Sequence, residues 1–471
     1  MKHTILFFCA AGLLLLGSCK KYIQVQETDL IAGAIALKTV NNCEQGIIGA
    51  YSGVGVEMDI LLNSTLADEM KQAEFYNAQT THEWLYTSTD VGIRDNFTAV
   101  NPLYSIINRV NGVLAALPKA DSTRAGDNVL RNKLRGEALF LRAFSHFELF
   151  RYYCSNYNKD SVGLPYMEVT TLADQARIAQ GTYFSKMIAD ITEAKTLVPD
   201  NLVDINRATK SAVSALQARI ALYTKDWANA VTYSTEFINT IPLATRTNFP
   251  GIWTDANTNE IGWRLVRTTA IRIGSLFRAT SSSASNIGGI TWKPSDKLWN
   301  SYDQTNDVRF TSYFKDEPLL TTAGRSSRLI QKYAGTTYGT ATENVANGKV
   351  FRTGEMYLIR AEAKAEGNDL AGAAADINTL DAARITGYTP VSFATKDIAI
   401  TAIMLERYKE LAYEGHRFWD LKRRGLPVAR LASDAPSANG TILPSGDYRF
   451  TLPIPDTELK ANRAMKQNPG Y

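Results

Sequence analysis

Apolar residues recur with a helical period over much of this chain, so helices are the main predicted element. Phe184, Met187, Ile188 and Ile191 fall at i, i+3, i+4 and i+7, marking a helix that stops before Pro199. Residues 44–54 read as a short helix, and residues 103–117 as another, ended by Pro118. Over residues 134–153 apolar side chains cover nearly every face, which predicts a helix buried between neighbours. Two segments read as helix–turn–helix pairs. In 212–240 the turn is Lys225-Asp226; in 354–383 it is Gly367-Asn368-Asp369. Residues 51–101, rich in Asn, Thr and aromatics, and 245–348, rich in Gly, Ser and Trp, break the pattern and predict loops with short strands. Residues 261–268 alternate well enough for one strand, and Trp263 and Trp299 sit in apolar patterns that assign them to the core.

The two helix pairs place small residues where the helices cross and alanine early in the return helix. They resemble tetratricopeptide units, which stack into a superhelix with a continuous core. The expected fold is mainly α: tetratricopeptide-like helix pairs as a superhelical scaffold, with a loop-rich part and a few short strands.

The chain begins Met1-Lys2-His3-Thr4, continues apolar to Leu16, and reaches Leu16-Gly17-Ser18-Cys19. A charged start, an apolar run and small residues at the cut describe a secretory leader over 1–18. The run is too short for the roughly 20 residues of a spanning helix. Cysteine directly after the small pair is the lipid-acceptor pattern of bacterial lipoproteins, so Cys19 is the expected lipid attachment. Residues 19–38 form the expected tether and 39–471 a single domain. The alternative is a plain leader whose cleavage site happens to contain a cysteine. Cys43 and Cys154 would then be the remaining thiols, read as buried and free, with a disulfide as the alternative. A net charge of +4 without a long basic block argues against nucleic acid as a partner.

Catalytic and cofactor motifs are missing from the sequence: no HExxH, no GxSxG, no GxxxxGK[ST]. His82, His146 and His416 have no ligand-like spacing and read as surface or packing residues. Asp255-Ala256-Asn257-Thr258-Asn259 imitates a calcium loop but has Glu260 at the sixth position and Val266 at the twelfth, so a capped turn is expected. No metal or cofactor is expected.

The C-terminal part is the most distinctive. Met404-Leu405-Glu406-Arg407-Tyr408-Lys409-Glu410-Leu411-Ala412-Tyr413-Glu414-Gly415-His416-Arg417-Phe418-Trp419-Asp420-Leu421-Lys422-Arg423 resembles the hallmark segment of SusD/RagB-like outer-membrane lipoproteins. The ending Leu452-Pro453-Ile454-Pro455 with Gln467-Asn468-Pro469-Gly470-Tyr471 is similar to that family too. So are Tyr357 to Ala363, Gly136-Glu137-Ala138 with Leu141 to Phe144, and Asp303 to Arg309. In the hallmark segment Glu406, Glu410 and Glu414 stack at i, i+4 spacing, where like charges repel. Neutralising arginines are required, and Arg407, Arg417 and Arg360 are the candidates. A catalytic reading, with Glu410 or Glu414 as acid beside His416 or Asp420, is the alternative.

The resemblance implies a lipid-anchored binding protein of the outer membrane, facing the exterior. It would capture oligosaccharide and deliver it to a SusC-like TonB-dependent transporter, with no bond made or broken. It also implies ligand contacts from the variable loops of one face. Aromatic faces for sugar rings are Tyr76, Trp84, Tyr86 and Trp292, with Tyr302 as a further candidate. Asp68, Asn96 and Arg278 are the polar partners, with Asn77 and Arg272 behind them. Lys20-Lys21 leaves leaflet orientation open. Three alternatives stand beside this: a peptide-binding member of the same family, an α-helical glycoside hydrolase, and a structural lipoprotein without ligand.

Overall fold

The computed structural model describes residues 36–74, 79–90 and 99–471. The predicted leader, Cys19, most of the tether, Tyr76, Asn77 and Asn96 lie outside the described residues. Helix α1 (Val40–Ser52) starts four residues earlier than the sequence suggests. Thr39 accepts from the Asn42 N–H while the Asn42 side chain returns to the Thr39 N–H, a reciprocal cap. Then come α2 (Glu57–Leu66), α3 (Val100–Ala116), α4 (Asp127–Tyr153), α5 (Gln180–Leu197), α6 (Lys210–Thr224) and α7 (Trp227–Thr240). After the loop-rich stretch follow α8 (Thr353–Glu366), α9 (Leu370–Ala382), α10 (Lys396–Glu410) and α11 (Arg417–Arg424). Successive helices pack on one another: α3 on α4, α4 on α5, α6 on α7, α7 on α8, α8 on α9.

The predicted pairs are present, and their turns share one design. Lys225 (φ 60°) and Asn368 (φ 65°) adopt the left-handed conformation just after α6 and α8. The next residue, Asp226 or Asp369, then caps the return helix by accepting the N–H of Asn229 or Gly372. The same solution used twice is consistent with a tetratricopeptide-like arrangement. As its sequence predicts, α4 is buried on all sides from Leu134 to Tyr153, apart from half-buried Arg135. Cys43 and Cys154 are buried free thiols.

Among the described residues the strands form four separate two-stranded antiparallel ladders. β1 (Met70–Gln72) pairs with β3 (Trp292–Pro294), which ties the two loop-rich stretches together. β2 (Ile261–Leu265) pairs with β6 (Gly348–Arg352) and pushes Trp263 into the helical core, 4.9 and 5.0 Å from the rings of Phe140 and Phe144. β4 (Phe314–Asp316) pairs with β5 (Arg328–Ile330), and β7 (Val428–Ala429) with β8 (Ile442–Leu443). A second apolar cluster, containing Trp253, Trp292, Trp299, Tyr313 and Tyr413, fills the loop-rich part.

Candidate functional site

The three stacked glutamates are enclosed in a buried ion cluster, and their partners are not those expected. Glu410 accepts from Arg309 Nη1 at 3.0 Å, from Arg384 Nη2 at 3.0 Å and from Arg352. Glu414 accepts from Arg352 Nε at 2.6 Å and Lys332 Nζ at 2.7 Å. Glu406 accepts from Arg309 and lies 2.6 Å from Lys409 Nζ. The expected arginines are committed elsewhere: Arg407 to Asp420, Arg417 to Asp68 and Arg360 to Asp376. Burial alone would raise the Glu410 carboxyl. The guanidinium groups of Arg384, Arg352 and Arg309 outweigh it and hold the group well below its ordinary value. Burial and the surrounding arginines likewise hold His416 far below the ordinary histidine range. A general acid must carry a proton near neutrality, and a Glu410 held so low is ionised there, as suits a buried ion cluster. Gly415, between α10 and α11, has φ 78°, where an added Cβ would sit 2.3 Å from an Asp59 oxygen.

The loop residues expected to meet a ligand are also interior. Trp84 is 1% exposed, its indole N–H donates to the Leu66 carbonyl at 2.9 Å, and Arg430 covers its ring at 4.2 Å. Trp292 is buried edge-on to His82, with centroids 5.2 Å apart. Tyr86 donates its hydroxyl to the Arg449 carbonyl, and Tyr302 to the Lys409 carbonyl at 2.7 Å. Asp68 is enclosed by Arg417 (2.8 Å) and Lys297 (2.7 Å). Arg278 is paired with Glu343, and Arg272 donates to the Ala341 carbonyl at 2.9 Å. Trp84 lies in the main apolar cluster and Trp292 in the second, and neither shows an open ring face, while Asp68 is held in a buried ion cluster. In this structure none of the three presents the open face that the expected ligand contact needs. Polar flanking residues suggested exposure, but ladder pairing and Arg430 enclose the rings. Sequence reasoning missed Arg430. Its N–H groups reach the carbonyls of Thr65, Leu66, Ala67, His82 and Gly440, which fixes the loop that carries Trp84.

An open cleft of about 1130 Å³ lies elsewhere, between residues 155–162, 176–177, 421–426, 446–451 and 464–469. Two tyrosines line it. Tyr448 is 47% exposed and braced edge-on by Tyr471 at 5.0 Å; Tyr157 is half-buried against Phe184 at 4.8 Å. Its walls are locked by hydrogen bonds across the sequence. Asn156 donates to the Lys422 carbonyl at 2.8 Å, and Asn468 donates to the carbonyls of Tyr153 and Leu452. Arg177 donates to the Gly163 carbonyl at 2.6 Å and to Asn468 Oδ1 at 2.8 Å. Lys422 donates to the carbonyls of Arg151 and Cys154 at the end of α4. Exposed aromatic faces beside fixed amides and cations suit a ligand with apolar C–H faces and a polar rim. Among the described residues no group of three or more His, Cys, Asp or Glu side chains is placed to hold a metal.

The N-terminal half, residues 22–222, matches the family model described as "Starch-binding associating with outer membrane". Residues 288–471, which hold the hallmark segment, match the model of the SusD family. The chain belongs to the SusD family. Two full-length relatives from Formosa agariphila agree with that assignment: SusD-like proteins P25 and P2, each 23% identical. P25 aligns over 96% of this chain and 97% of its own length. Solved structures share the SusD fold. A putative sugar binding protein from Bacteroides vulgatus superposes with a TM-score of 0.78 at 23% identity, covering 93% of this chain and 99% of that one. Surface glycan-binding protein A from Bacteroides thetaiotaomicron does so with a TM-score of 0.72 at 18% identity, over 92% and 100%. The resemblance read from the hallmark segment is thus confirmed, and so is the mainly helical fold. No helix among the described residues is long and apolar enough to cross a membrane.

Proposed function

We propose that this SusD-family chain is a glycan-binding lipoprotein of the outer-membrane surface. It is anchored through lipid on Cys19, captures oligosaccharide, and delivers it to a SusC-like TonB-dependent transporter without making or breaking a bond. The observation that carries the reading is the open cleft with Tyr157 and Tyr448 on its walls, beside amides fixed by hydrogen bonds. Solved relatives named as sugar-binding and surface glycan-binding proteins support it. The family model that names the outer membrane supports the location. The enclosure of Glu406, Glu410 and Glu414 supports binding over hydrolysis.

The test is a glycan array with the purified chain, run beside a peptide library. Retention of one glycan class, lost in Tyr448→Ala, is expected. Retention of peptides in place of glycans, or release of sugar from a bound glycan, overturns the reading. Metabolic labelling with a radioactive fatty acid should mark the chain and fail in Cys19→Ala. Co-purification with a barrel protein from outer membranes tests delivery.

A further inference from the structure

If the cleft is the glycan site, its charge has a consequence for which glycans enter. Arg177, Lys422 and Lys466 line it. None of the three has a carboxylate within ion-pair distance among the described residues. Of the two cleft carboxylates, one is paired and the other lies at the solvent edge. Asp447 is gripped by Arg449 at 2.8 and 2.9 Å, and Asp160 lies in solvent 3.9 Å from Lys159.

The ordinary explanation is that these cations only cap carbonyls. It accounts for their hydrogen bonds but not for their charge. Lys422 sits on the C-terminal end of α4, whose dipole amounts to roughly half an elementary charge. Two of its three N–H groups are used there, at 3.0 and 2.6 Å. Arg177 meets three neutral acceptors through Nε and Nη1, while its Nη2 donates to no oxygen among the described residues. Lys466 is exposed, and only its backbone carbonyl is bound, by Arg177. Elsewhere most enclosed guanidinium groups have carboxylates: Arg309, Arg352 and Arg384 share Glu410, and Arg219 has Glu355. Arg430 is an exception, buried on backbone carbonyls alone; the cleft differs in setting its cations along an open wall. Burial also pushes the Lys422 ammonium down to about 7, so it is partly uncharged near neutrality, and an anion beside it would favour the charged form.

We propose that the cleft selects oligosaccharides carrying carboxylate or sulfate groups, with Arg177, Lys422 and Lys466 as anion contacts and Tyr448 as the ring platform. Charge-assisted hydrogen bonds to such groups are about twice as strong as neutral ones. The proposal deepens the glycan-binding reading and rests on it.

The purified full chain is applied to an array of uronate-containing, sulfated and neutral glycans. Affinity for each retained glycan is then measured before and after its charge is removed, by methyl esterification or desulfation. The expected result is retention of anionic glycans. Charge removal, or salt raised to about 0.5 M, should weaken binding at least about tenfold. Lys466→Gln and Arg177→Gln should weaken binding of the charged form about five- to tenfold more than binding of the uncharged form. Arg177 also braces the cleft wall, so Lys466→Gln, at a residue whose side chain makes no hydrogen bond among the described residues, decides the case if Arg177→Gln fails to fold. The uronate and sulfate arms tell which anion is recognised. Neutral glycans held as tightly as charged ones overturn the selectivity and leave glycan capture standing. Retention of acidic peptides alone, or of nothing, overturns both.

Discussion

Beneath α10, Glu406, Glu410 and Glu414 meet Arg309, Arg352, Arg384 and Lys332 with almost no exposure. In the cleft, Arg177, Lys422 and Lys466 meet backbone carbonyls, one amide oxygen and solvent. Both regions are rich in charge and both draw on the hallmark segment. The difference is who answers the charge. In the first region the chain answers it fully, and the result is rigid architecture. In the second it answers only the hydrogen bonds, which leaves net positive charge for a partner.

Breaking the closed cluster should have the largest effect. Glu410→Gln strips the shared anion from three buried guanidinium groups. Loss of one partner in such a pair costs roughly 3–5 kcal/mol, read as a lower midpoint in urea unfolding. Trp84→Ala should cost a similar ~3–5 kcal/mol, because it empties a buried site under Arg430; ligand affinity of the folded fraction should not change. A loss of affinity with unchanged stability would return Trp84 to the binding surface. Gly415→Ala should cost about 1–3 kcal/mol, since the left-handed backbone and the Asp59 carboxylate both oppose a methyl group there.

Acid should separate the two regions more gently. Burial raises the Glu410 and Glu414 carboxyls, but the cationic neighbours outweigh it and hold both below the ordinary value of 4.5. Their contribution to stability is full above that value and is lost as pH falls toward the folded-state value. The parent's unfolding midpoint should therefore fall more steeply below about pH 4.5 than that of Glu410→Gln. The smallest structural effect belongs to Tyr448→Ala. Its stability should stay within about 0.5 kcal/mol of the parent while ligand capture drops. An equal loss of both would make Tyr448 a packing residue.

Much of the scaffold was legible because helical periodicity is local. The stripes of Met356, Ile359 and Ala363, and of Ala373, Ile377 and Leu380, are visible within single segments and mark α8 and α9. The partners of Glu410 were not legible, because Arg309, Arg352 and Arg384 arrive from 101, 58 and 26 residues away. The nearer Arg407 leaves α10 on another face and reaches Asp420. Tryptophans 84 and 292 look exposed from their polar neighbours, yet β1–β3 pairing and Arg430 bury them. The cleft left no motif, since five short segments with ordinary compositions make its walls.

The reach of those ion pairs sets an order of assembly. Asp68 waits for Arg417, 349 residues downstream, and Arg151 waits for the carbonyl of Gly415, 264 residues on. Local hairpins of α6 with α7 can close early, because their contacts span few residues. The interior around α10 closes last. A nascent chain halted before residue 406 therefore holds helical hairpins around arginines with no counterions, which makes roughly the last seventh of the polypeptide the step that commits the rest.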